Sequence, residues 1–460
     1  MDIISNKKEK IDIKTDQLPL RRKVTYGFTD LAGNLLYCII GSYALYYFTD
    51  VYGLSVSMAG TILLLARFID ALDAPVWGMI IDHTKSNQGK SRIWFLRMAI
   101  PFTLSVWLLF TNFNLTGSAK IIYAAVMYII AGIAYTGVST PITSVLPNLT
   151  SNTEDRTLAN TFRMIGGNIG NFLAITFILP LVSFFGQGNE QKGWSMAVGF
   201  YAVIACVLIL IAYFDMREKH IEHTVNISIK ESFKAAKGNW PWVLIIIGNV
   251  MFWLGLTARN SSLIFFFQYN MGDKNLVSIF NGISIIQVVG MAMIPLLVKY
   301  LRKWGSTVLG FLIASIGQLG VVIFSHNMPM MIVSWCIACI GSGIACSLFF
   351  EMVGDTVDFG EWKTGIRASG FLTAIGSSFC IKLGAGLGGF LPSMIMNAAG
   401  YKPEQIQSEA ALRAIQFSFC WLPLLIFILA IIPMWLYKKF EKNEENVRRD
   451  LVLRHEKGVE

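Results

Sequence analysis

Apolar residues fill run after run along the chain with only short polar breaks, and runs of about 20 residues cross the hydrocarbon core of a bilayer as α-helices. Twelve such runs are read, at 25–48, 57–81, 93–112, 118–146, 158–185, 194–215, 241–267, 275–299, 306–325, 328–353, 368–398 and 411–437. The pattern predicts an all-α, multi-pass membrane protein surrounded by a lipid bilayer, and it excludes a soluble enzyme. The longest internal polar stretch, 216–240, divides the spans six and six. The expected organisation is a tail (1–24), a six-helix bundle (25–215), a linker (216–240), a second six-helix bundle (241–437) and a closing tail (438–460).

Composition agrees, with 54% hydrophobic and 15% charged residues. The net charge of +9 raises the question of nucleic acid. The placement of the charge answers it, because 28 of the 38 basic residues fall in the two tails and in alternate loops on one side. By the positive-inside rule both termini are expected in the cytoplasm, which places the chain in the cell (inner or plasma) membrane with no nucleic-acid partner. No cleavable leader is expected, since residues 1–24 are polar and the first apolar run is already span-length. The seven cysteines all fall in apolar runs, and the pair Cys336 and Cys339 has no further Cys or His ligand nearby. No metal and no cofactor are therefore expected. Two six-helix bundles joined by a linker form the architecture of major facilitator transporters.

Charge inside the spans is rare, which makes each instance informative. Asp30, Asp70 and Asp73 stand against Arg67, Arg97, Arg163, Arg259 and Lys382. Asp70 and Asp73 are three apart, and Arg67 is one turn earlier on the same face. At 1.5 Å per residue Asp70 lies about 18 Å from the cytoplasmic end of its span, and Lys382 lies about 21 Å along span 11, so both are near mid-membrane. Arg97 is close enough to a span end to snorkel. Two carboxylates on one face repel when both are ionised, so the pair is suited to taking up a proton or small cation. Use of two acids in glycan hydrolysis is the competing chemistry. It lacks any other reason for twelve spans. The glycine-rich run from Lys382 to Gly389 reads as close helix packing, since it lies within a span and not in a strand-to-helix turn.

A further cluster follows span 10: Glu351, Asp355, Asp358, Glu361, Lys363 and Arg367. If this stretch is helical, 355, 358 and 361 share a face. Opposed to Lys85, Lys90 and Arg92 of the other half, these acids would form a salt-bridged cytoplasmic gate; a solvated loop is the plain alternative.

Several segments taken together resemble the glycoside-pentoside-hexuronide:cation symporters, the group of melibiose permease. They are Tyr26-Gly-Phe-Thr-Asp-Leu-Ala-Gly-Asn34, Tyr47-Phe-Thr-Asp-Val-Tyr-Gly-Leu54, Ala66-Arg-Phe-Ile-Asp-Ala-Leu-Asp-Ala-Pro75, Gly89-Lys-Ser-Arg92, Asp155-Arg-Thr-Leu158 with Arg163, Asp355-Thr-Val-Asp-Phe-Gly-Glu361 with Arg367, and Lys382. The resemblance implies import of a glycoside, pentoside or hexuronide with a cation by alternating access. It implies a cation site that includes Asp70 and Thr136, to which the spacing on span 2 adds Asp73; Asp30, Asn34, Tyr135, Ser139, Thr143, Arg163 and Lys382 offer the donors, acceptors and ring face expected to contact the sugar. The gate expected from the acid and base clusters consists of Arg92, Arg156, Asp355, Asp358, Glu361 and Arg367. Three positions depart from the melibiose branch, which carries acids where this chain has Asn34, Ala74 and Ser139. The loss at 74 and 139 weakens a sodium cage and favours a proton, with an uncoupled facilitator still open. Arg163 and Lys382 would also suit a carboxylate-bearing sugar. The rivals are a carrier of lipid or another amphiphile on the same fold and, from other classes, a membrane-embedded glycan enzyme or a non-transporting sensor.

Overall fold

The computed structural model describes residues 18–456 except 83, 85, 87, 90, 151–152, 219–233, 235, 326 and 367. The chain is a succession of long helices: α1 (Leu20–Val51), α2 (Val56–Asp82), α3 (Arg92–Leu109), α4 (Gly117–Leu149), α5 (Thr153–Gly186) and α6 (Glu190–Asp215). After the linker come α7 (Trp240–Asn270), α8 (Leu276–Ala292), α9 (Ile294–Ile323), α10 (Met328–Thr364), α11 (Phe371–Ala398), α12 (Glu409–Glu441) and a short α13 (Glu444–Glu456). Polar residues start several of them in the usual way: the side chains of Asn189, Asn239, Asn327 and Ser408 accept from backbone N–H groups of the first turns of α6, α7, α10 and α12.

Among the described residues, ten of these helices are long and apolar enough to cross a membrane on composition alone. The other two of the expected twelve explain themselves. In α2, Arg67, Asp70 and Asp73 interrupt the apolar run. The eighth span, read as one run over 275–299, is broken: Leu276–Ile283 passes through a 3₁₀ turn at Ser284–Ile286 to Gln287–Ala292, then resumes at Ile294. It ends at Arg302, whose φ of 58° and ψ of −178° turn the chain into the remainder of α9.

Helices α1 to α6 pack on one another, and α7 to α12 do likewise. Small residues let backbones approach. At the α1–α5 crossing, a Cβ on Gly166 would collide with the carbonyl of Gly27, and one on Gly170 with that of Leu31. At the α9–α10 crossing, Gly317 lies against the backbone of Ala338 and Gly341 against that of Ala314. The two halves meet through α2 with α11, α5 with α8 and α1 with α7.

Those contacts are concentrated at the end away from the chain termini. There, Asp50 of α1 accepts from Tyr401 at 2.8 Å and in a close hydrogen bond from Tyr269 of α7. Lys274 pairs with Glu190, and Asn281 of α8 donates to Tyr43 of α1 (2.8 Å) and to the Ile175 carbonyl of α5 (3.0 Å). One hydrophobic core runs through both halves at this end, joining Tyr43, Tyr46 and Trp194 to Phe265, Phe280 and Trp335. A second core, around Phe252, Phe311, Phe349 and Phe427, belongs to the second half alone.

Candidate functional site

Midway along α2 the helix meets α11 and α4. Gly386 lets the stem of Arg67 lie against α11, and Gly132 leaves room for the Asp70 carboxylate against α4, where any Cβ would collide with Oδ1. Arg67, 4% exposed, donates to Asp70 Oδ2 at 3.2 Å and to the Tyr37 hydroxyl, and its guanidinium lies over the rings of Tyr37 and Tyr128. Asp70 itself is 2% exposed. Lys382 crosses from α11, in the other half, and its ammonium donates to Asp73 Oδ1 at 2.9 Å, to Thr136 Oγ1 at 3.2 Å and to the Asp70 carbonyl. Asp70 Oδ1 and Asp73 Oδ2 are buried and accept no hydrogen bond among the described residues. Buried carboxylate oxygens of this kind leave acceptor capacity for an added proton or cation.

The second group lies on α1 and α5. Arg163 Nη1 donates to Asp30 Oδ2 at 3.1 Å and its Nε to Asn160 at 2.9 Å, while Asn34 donates to the Asp30 carbonyl at 2.9 Å. Gly167 of α5 faces this pair, and its Cβ would lie 3.1 Å from both Asn34 and Asp30. Tyr135 of α4 stacks on Tyr37 with centroids 3.9 Å apart and planes within 10°. Through Tyr37 and Arg67 it connects to Asp70.

Asp70, Asp73, Thr136 and Lys382 therefore form one cluster, and Asp30, Asn34 and Arg163 a second. Ser139 and Thr143 lie further along α4 and bond to their own helix, at the Thr136 and Thr140 carbonyls. Tyr37 and Gly132 were not singled out from sequence. Tyr37 is three residues beyond Asn34 on α1, a spacing that marks its face, but an aromatic residue in a span is commonplace.

The stretch through 355, 358 and 361 is helical, as the end of α10. Asp355 pairs with Lys303 of its own half at 2.6 Å, and Glu351 and Glu444 also approach that ammonium. Asp358 is half-buried and Glu361 buried on the same helix. Arg92 is likewise engaged within its half, donating from Nε to the Tyr213 carbonyl at 2.7 Å, with its backbone N–H bonded to Glu218. Arg367, Lys85, Lys90 and the side chain of Arg156 lie outside the described residues. Arg97 is exposed with its guanidinium over Trp94, the position of a snorkelling side chain.

Residues 25–439 match the MFS/sugar transport protein family. The isoprimeverose transporter of Lactiplantibacillus pentosus is 37% identical over 449 residues, spanning 96% of this chain and 93% of the relative. A putative sulfoquinovose importer of Escherichia coli (strain K12) is 29% identical, spanning 93% of this chain and 92% of its own length. In fold, the chain resembles a bacterial homologue of the human lysosomal transporter Spinster in an inward-facing, unoccupied conformation, with a TM-score of 0.72 at 13% identity, covering 92% of this chain and 98% of that one. These relatives bear out the twelve-helix major facilitator fold and the resemblance to glycoside-pentoside-hexuronide symporters. The chain thus belongs to the MFS/sugar transport protein family, a group of membrane transporters and not of enzymes.

Proposed function

We propose that the protein imports a sugar together with a cation, a proton in preference to sodium, by alternating access across the cell membrane with both termini cytoplasmic. The observation that carries this reading is the cluster of Asp70, Asp73 and Lys382, because it joins α2 of one half to α11 of the other. An ion arriving at either carboxylate competes with the Lys382 ammonium, so occupancy bears directly on a contact between halves. A ligand shifts a conformational equilibrium only through such differential contacts. A proton needs one free carboxylate oxygen, and Asp70 Oδ1 and Asp73 Oδ2 each supply one. Sodium would need several oxygens around it, and Ala74 and Ser139 stand where related sites carry further acids.

The halves 25–215 and 241–437 would rock about this site. The gathering of contacts between the halves at the end away from the termini supports reading this conformation as open toward the cytoplasm. On return to the outward-open state the acids of α10 would face Arg92, Arg156 and their neighbours as the cytoplasmic gate. Asn34, Tyr135, Ser139 and Thr143 offer hydroxyl partners and a stacking face for a sugar ring. The test is uptake in vesicles energised in turn by proton, sodium or lithium gradients. Asp70→Asn should abolish uphill accumulation while sparing exchange of labelled sugar, and wild-type accumulation in that variant would overturn the cation assignment.

A further inference from the structure

Arg163 and Lys382 are the cations that would anchor an acidic sugar, and neither is free. Arg163 is held by Asp30 at 3.1 Å and Lys382 by Asp73 at 2.9 Å; the third cation of the region, Arg67, is held by Asp70 at 3.2 Å. Three acids therefore meet three bases, each pair formed between side chains of the site itself. An anionic sugar entering here would have to displace a carboxylate from its partner, and with the three carboxylate side chains between 3% and 20% exposed, the released acid would be left unpaired where little water can replace the lost cation. A neutral sugar makes no such demand, since its hydroxyls can donate to carboxylate oxygens and accept from the same ammonium and guanidinium without separating them.

We infer that the substrate is an uncharged sugar, a neutral glycoside or pentoside, and that Asp30 is the residue that excludes uronic and sulfonated sugars by occupying Arg163. The inference rests on the sugar-transport reading and narrows it. Arg259 is the remaining deep cation. It is 2% exposed, its Nε and Nη1 find no acceptor among the described residues, and its guanidinium lies over the ring of Trp335, a member of the core shared by the two halves, at 4.5 Å.

The experiment uses the full-length protein in proteoliposomes, read by counterflow and by ligand-induced thermal shift. The probes are a neutral pentosyl-hexose disaccharide, the corresponding glycosiduronate and a sulfonated hexoside. The expected result is exchange and thermal stabilisation with the neutral sugar alone. Asp30→Asn should then bring the glycosiduronate into competition, with a gain of about tenfold or more in its apparent affinity as Arg163 is released. Thermal shift keeps that variant informative even if it no longer transports. Exchange of the glycosiduronate or sulfonated sugar by the wild type would overturn the inference while leaving sugar transport intact. So would anionic-sugar binding that Arg259→Met abolishes, since it would make Arg259 the anchor. Exchange of none of the three would bring down both readings together.

Discussion

Asp70 is a carboxylate that fits only because Gly132 has no side chain. Gly132→Ala would place a methyl on Oδ1, and the outcome expected is loss of uphill sugar accumulation with exchange and expression largely kept. The control is Gly41→Ala on α1, where nothing lies within 4 Å. It should transport normally and be as stable as wild type or gain up to about 1 kcal/mol from helix propensity. Equal accumulation by both variants would show that the Asp70 niche does not matter. At this scale the charged members of the site were legible in the sequence, because a carboxylate or ammonium inside an apolar run stands out against its cost. Their pairing was not. Spacing on one helix brings Arg67 to Asp70, but nothing along the chain says that Asp30 meets Arg163 or that Lys382 reaches Asp73 from α11. Those contacts depend on how helices cross, and so did the reading of Arg163 and Lys382 as available cations. Gly132 and Tyr37 stayed hidden because glycines and aromatic residues are abundant in spans.

Most helices were legible from their apolar runs, and the exceptions have physical causes. The α8 break and the turn at Arg302 lie within or beside an apolar stretch; Gly282 and Pro295 flank the break, but a lone glycine or proline is tolerated inside a span, and no proline lies at Arg302, so the hydropathy reading ran through both. Helix α10 continues beyond its apolar portion to Thr364, carrying Asp355, Asp358 and Glu361. The polar closing segment includes α13, whose Val447 and Leu451 are buried in the second core with Phe359. A repeat that escaped the sequence reading is visible in the helices themselves. Both α1 and α7 end in a π-helical turn, Tyr47–Val51 and Phe266–Asn270, each followed by a glycine at φ 75°, Gly53 and Gly272. Corresponding ends of the two halves thus share one chain reversal. Helix contact itself gives a stability prediction: Gly317→Ala pushes a methyl into the backbone of Ala338 and should destabilise the α9–α10 pair by about 1–3 kcal/mol. Gly354→Ala on α10, with nothing within 4 Å, should be neutral or slightly stabilising. Thermal unfolding in detergent separates the two, and equal midpoints would remove the role assigned to small residues at this crossing.

Across the whole molecule, what distinguishes one face from the other is where the halves touch. The end away from the termini is closed by Asp50, 3% exposed, which takes hydroxyl donors from Tyr269 and Tyr401 of the opposite half and from its own neighbour Thr49. Burial and the adjacent Asp50 carboxylate hold the Tyr401 hydroxyl far above its ordinary pKa, so it remains a donor throughout the physiological range. A hydrogen bond to a charged acceptor contributes about 1.5–3 kcal/mol, and this one exists only while that end is shut. Tyr401→Phe removes the donor without changing the ring that packs on Phe265 and Tyr269. The equilibrium should therefore move toward the outward-open form by about tenfold or more. Cys38, half-buried and bonded to Asn34 beside the Asp30–Arg163 pair, reports the change. In a background with the other cysteines replaced, a membrane-impermeant maleimide should label it faster from outside in Tyr401→Phe and more slowly in inverted vesicles. Unchanged labelling from both sides would mean that Asp50 and its tyrosines pack the closed end without setting how often it opens.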